Sequence, residues 1–120
     1  MSAQLPSILQ GEIDSAITAL RAARNGTGLG MHMKDIEAAV ANILGWVQTT
    51  SPIETAADNA RDQAVAFIHF IERRGPFLDD KQEAEAAREF KEAEQALQDL
   101  AATLQSARPN MKASILGLGW

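Results

Sequence analysis

Between Asp79 and Arg108 apolar residues return at steps of three and four: Ala86, Phe90, Ala93, Leu97, Leu100, Leu104 and Ala107. This spacing holds one side of an α-helix against a partner for three heptads. The same period appears three more times. Leu9, Ile13, Ala16, Leu20 and Ala23, with Ile17 beside them, predict a helix over 7–24. Met33, Ile36, Val40, Ile43 and Val47, widened by Ala39 and Leu44, predict a second over 31–48. Ile53, Ala57, Ala60, Ala64, Phe67, Ile68 and Ile71 predict a third over 52–74, and the long stripe a fourth over 80–108. On the second helix His32, Ala39 and Trp46 share one flank, which places Trp46 at the edge of a core.

Local stop and start signals divide these segments. Ser7 and Gln10 have capping-box spacing, and Asn25-Gly26 offers a left-handed stop. Residues 25–30, NGTGLG, read as a flexible helix–helix turn. No strand precedes them and no Gly-Lys-Ser/Thr follows, so a phosphate loop is not indicated. Ser51-Pro52-Ile53-Glu54 combines an N-cap, a proline at the first helical position and a capping glutamate, so the second and third helices are joined tightly. Gly75-Pro76 ends the third helix, and Val65, Ala66 and Phe70 near its end call for cover on more than one side. Asp79 or Asp80, with Gln82 or Glu83, caps the fourth helix, and Pro109 ends it.

Four amphipathic segments on short links predict an all-α fold, a four-helix antiparallel (up-down-up-down) bundle with an apolar C-terminal tail. The bundle domain covers 1–108 and the docking tail 109–120. An open helical array, or paired hairpins completed by a second chain, are the other arrangements this pattern allows. Of the 120 residues 22 are alanine. Alanine-lined helices approach closely but bury little area each, so the pattern predicts a thin core that association would complete. Leu97, Leu100 and Leu104 form the richest part of the longest stripe, on a helix expected to overhang its neighbours by about a turn. Ile115, Leu116, Leu118 and Trp120 of the tail either fold back over the chain's own bundle or, together with these leucines, make the expected contacts with another subunit.

Charge adds a second candidate surface. Residues 79–99 carry eight acids and three bases, while the rest of the chain carries eight of each, so the whole net charge of −5 belongs to the fourth helix. Its face at Glu85, Glu89 and Glu92 is either a solvated exterior or an acidic ridge that meets a basic partner or imitates a phosphate backbone. Direct nucleic-acid binding is disfavoured. In an antiparallel bundle Arg21, Arg24, Arg73 and Arg74 gather near His32 at one pole, either in mixed salt bridges with nearby acids or as an anion site.

Catalytic chemistry finds little material. There is no cysteine, so thiolate nucleophiles, disulfides and the usual zinc and iron–sulfur ligands are excluded. Neither His32 nor His69 follows a Glu-x-x pattern suited to a carboxylate-bridged metal pair, and no G-x-S-x-G elbow is present. The expectation is a non-enzymatic protein with no metal and no cofactor. The N-terminus lacks a basic start followed by an apolar run, and no stretch approaches the ~20 apolar residues a membrane span needs. That reads as soluble and cytoplasmic, or incorporated in a particle assembled there. The leading functional expectation is an interaction or assembly protein, a subunit of a homo- or hetero-oligomeric particle such as a phage structural component. A small acidic regulator and a ligand- or metal-binding bundle using His32, His69 and Trp46 are the alternatives.

Overall fold

The computed structural model describes residues 5–74 and 79–112, with backbone only at Arg74. It contains α1 (Ser7–Ala23), α2 (Leu29–Trp46), α3 (Ser51–Arg74) and α4 (Asp80–Ala107). Three cross-helix contacts fix the directions. Asn42 near the end of α2 donates to Glu12 near the start of α1 at 3.3 Å, and Arg21 near the end of α1 donates to Glu94 of α4. Phe67, late in α3, meets Phe90, early in α4, with ring centroids 5.7 Å apart. Successive helices are therefore antiparallel, and the four form an up-down-up-down bundle measuring 49 × 25 × 24 Å.

The stripes read from the sequence are the core. Every residue named above for the α3 stripe is buried, as are Leu9, Ile13, Ala16, Leu20 and Ala23 of α1 and Ile36, Val40, Ile43 and Val47 of the second segment. Met33 and Leu44 pack at the margin, and so do Trp46 and Phe70. Among the described residues no polar or charged side chain is buried. Alanines at 16, 57, 60, 64 and 93 are almost wholly enclosed, which lets the helix axes come close while the larger side chains interdigitate around them.

One sequence expectation reverses here. Leu97, Leu100 and Leu104 are each 0% exposed within the single chain, so they present no side-chain surface to another subunit. The long helix does not carry an uncovered apolar overhang: burial runs down the stripe to Leu104 and ends before Ala107, which is exposed. The core is therefore less thin than the alanine content implies, because the large residues of all four stripes converge on one another.

The helix ends differ in detail from their sequence signals. At α1 the N-cap is Pro6, with φ −50° and ψ 142°, and no side chain caps it. Ser7 is already helical, so the Ser7–Gln10 box does not form, and Gln10 instead donates to Asp14 at 2.9 Å. At α3, Ser51 is likewise the first helical residue. The Glu54 N–H donates to the Thr50 carbonyl, and the hydroxyl that meets the Glu54 carboxylate belongs to Thr49, at 2.9 Å. At α4 the box forms as read: Asp79 accepts from the Gln82 N–H at 2.7 Å while the Gln82 side chain reaches back to the Asp79 N–H. Asp79→Ala removes an acceptor from the positive end of the longest helix and is expected to cost about 1 kcal/mol, measured as a lower urea midpoint at unchanged slope.

The turn between α1 and α2 uses Gly26 and Gly28 at φ +81° and +63°, the left-handed backbone that suits glycine. It starts α2 at Leu29, two residues earlier than the periodicity implies. The Gly75-Pro76 stop and the Phe77-Leu78 connector lie outside the described residues.

Candidate functional site

Each candidate surface can be followed to its place in the bundle. Of the arginines expected at one pole, Arg21 and Arg24 turn onto α4. Arg21 lies along α4 and pairs with Glu94 at 3.2 Å, and the Arg24 guanidinium sits 5.1 Å from the centre of the Phe90 ring. Arg73 is exposed near the end of α3, and the Arg74 side chain lies outside the described residues. Of the two uses expected for these side chains, salt bridging is seen at Arg21, where the antiparallel neighbour offers a carboxylate, while Arg24 meets an aromatic face. Arg21 is two-thirds exposed, so its pair contributes under about 1 kcal/mol.

His32 is half-buried in an open groove of about 360 Å³ between α1 and α2, with Asp14, Ser15, Thr18 and Asp35 along it. His32 and Asp35 form no ion pair. His69 approaches Glu72 only at 4.0 Å, and both are at least half exposed. Among the described residues no three His, Asp or Glu side chains are placed together as metal ligands. Trp46 packs against the margin of the core, as its flank position implies.

The acidic helix partly neutralises itself. Arg88 lies between Glu85 at 3.6 Å and Glu92 at 3.8 Å, and Arg21 takes Glu94. Beside this face runs an open groove of about 400 Å³ between α3 and α4, lined by Asn59, Gln63, Lys91, Glu92, Gln95 and Asp99. It offers amides and carboxylates at the surface without an enclosed volume.

The feature that periodicity missed is at the opposite pole. Arg108 takes a left-handed backbone, φ 44° and ψ 58°, and its N–H closes α4 on the Leu104 carbonyl. The chain then turns across the end of the bundle. Pro109 is buried and Met111 half-buried. Met111 pairs with Val47 in an isolated antiparallel bridge, in which the Gln48 N–H donates to the Asn110 carbonyl at 2.7 Å and the Lys112 N–H donates to the Trp46 carbonyl at 2.8 Å. The second bond satisfies a carbonyl that the end of α2 otherwise leaves without a helical partner. Residues 109–112 thus form a strap that closes the pole over Val47, which is 0% exposed. Residues 38–53, which include the strap's docking edge, carry no charge. The tail residues Ile115, Leu116, Leu118 and Trp120, expected to bind a partner, lie outside the described residues.

These observations define a class: an all-α four-helix bundle with an aliphatic and aromatic interior, whose described surface carries open polar grooves and whose pole at the end of α2 is strapped by residues 109–112. No helix among the described residues is long and apolar enough to cross a membrane. No family model matches the chain, and no curated protein or solved structure matches it.

Proposed function

We propose that this chain is a non-enzymatic interaction and assembly protein, working as a subunit of a larger homo- or hetero-oligomeric particle. The observation that carries the reading is the strapped pole. Residues 110–112 are paired to the end of α2, and the remaining eight residues, ASILGLGW, leave from there with four large apolar side chains and no side-chain charge. An ending of that composition gains by burial, and a protein surface supplies it. The interior supports the same reading, since its buried side chains are apolar throughout the described residues and are suited to packing rather than to proton transfer or ligand orientation.

Sedimentation and light scattering of the full chain across concentration, and with extract from its native source, test the proposal. Assembly that is lost on deleting residues 113–120, while the helical signal is kept, is the expected result. A full-length chain that stays monomeric and partnerless, with behaviour unchanged by the deletion, contradicts it. A role as an acidic regulator has one observation in its favour, the net negative charge of residues 79–99. Under that reading changing Glu85, Glu89 and Glu92 to Lys abolishes partner binding and leaves self-assembly intact.

A further inference from the structure

The strap is attached to the bundle through one residue in an unfavourable conformation. Arg108 is the only non-glycine with positive φ among the described residues, and it immediately precedes a proline. A side chain with a Cβ is disfavoured in the left-handed region, and a following proline restricts the backbone further toward extended values. The closed form holds that geometry because the strap gains two short backbone hydrogen bonds, a buried proline and a half-buried methionine. The two hydrogen bonds lie between the strap and residues 46–48, and neither depends on the strap belonging to the same molecule.

The docking edge, in turn, calls for an occupant. The Trp46 carbonyl sits at a helix end, so an open pole would leave it and the Gln48 N–H without their backbone partners. A second copy of this chain carries the one segment already shown to fit. We propose that the strap is exchangeable: residues 109–112 of one copy dock on residues 46–48 of a second, and reciprocally, giving a two-fold dimer in which each pole is closed by the neighbour. Extending the backbone at Arg108 releases the left-handed turn while every strap contact is remade in the other copy. This inference rests on the assembly reading above and gives it a mechanism.

Intramolecular docking is favoured at low concentration by the high effective concentration of a tethered segment, so exchange grows with protein concentration and with strain at the hinge. The chain has no cysteine, which makes crosslinking unambiguous. Gln48 and Asn110 are exposed and flank the Val47–Met111 bridge, within the reach of a disulfide. Two single-cysteine chains, Gln48→Cys and Asn110→Cys, are mixed at high concentration and oxidised. Exchange yields a mixed disulfide dimer, since the two cysteines are on different molecules and meet only if the strap crosses over.

Adding Arg108→Val, a β-branched residue still less suited to positive φ, raises the exchange equilibrium by roughly tenfold per hinge, and Arg108→Gly lowers it. Random pairing of cysteines, in proportions that neither hinge variant changes, overturns the proposal. The double variant Gln48→Cys/Asn110→Cys, oxidised when dilute, locks the strap onto its own bundle and is expected to remain monomeric. If this locked chain assembles as well as the unmodified one, strap exchange is wrong while the assembly reading stands. If the unmodified chain is monomeric at every concentration and gives no crosslink, exchange is refuted directly; partner capture from extract then decides the assembly reading by itself.

Discussion

Leu100→Asp leaves the chain unfolded. Leu100 is 0% exposed inside a single copy, on the α4 stripe that α1 and α3 close over. A carboxylate there has no buried cation or polar partner among the described residues; holding it protonated at neutral pH costs about 4 kcal/mol, the lost leucine packing about 3–5 kcal/mol more, and the total reaches the roughly 5–15 kcal/mol by which a domain of this size is stable. The measurement is the far-ultraviolet circular dichroism at 222 nm together with amide dispersion in a proton NMR spectrum. The alternative outcome is informative. Had Leu97, Leu100 and Leu104 formed a subunit contact, the same substitution would yield a folded chain that no longer associates. A helical, dispersed, monomeric Leu100→Asp protein would therefore return these leucines to the surface and overturn the bundle as described.

The second large effect is at Phe67. Its ring is fully enclosed and meets Phe90 at 66° between planes, an edge-to-face arrangement, while the Arg24 guanidinium covers the Phe90 ring at 5.1 Å. Phe67→Ala removes the largest fully buried side chain among the described residues and leaves a void that helices packed on alanine cannot readily collapse to fill. The expected cost is about 3–5 kcal/mol, read from the urea or guanidinium midpoint at constant slope. Phe67→Leu retains most of the volume and loses the ring contact, so it should fall well short of the alanine variant. Equal losses for the two variants would mean that the ring geometry, rather than the filled volume, carries the stability.

Much of this architecture is legible in the order of residues. The four segments, the faces they bury and the Asp79–Gln82 cap follow from spacing and local chemistry, because a helix's apolar side and its first turn are decided within a few residues. What that reading misjudged shares a cause. The leucines at 97, 100 and 104 stand out as a rich stripe, but a stripe states only that something covers it. Whether the cover is α1 and α3 or another molecule depends on how far the neighbouring helices reach. Arg21 and Arg24 stand near a helix end, and their side chains follow the antiparallel neighbour to Glu94 and Phe90, partners more than sixty positions away that local spacing does not reveal. The Ser7 box failed because Pro6, with its fixed φ, already occupies the cap.

The strap was outside the reach of pattern altogether. It joins residues 46–48 to 110–112 through backbone groups, which every residue but proline carries alike, and a single bridged pair has no periodicity to detect. The one local sign was Arg108 before Pro109, a stop that says the helix ends without saying where the chain goes next.

Sequence by itself determined that this protein is four amphipathic helices with apolar, alanine-rich faces, since those properties depend on neighbours three and four residues apart. Tertiary structure alone decided which apolar surface is spent inside one copy and where the chain emerges beyond it. Those outcomes depend on the mutual reach and direction of elements distant along the chain, which only their packing together fixes.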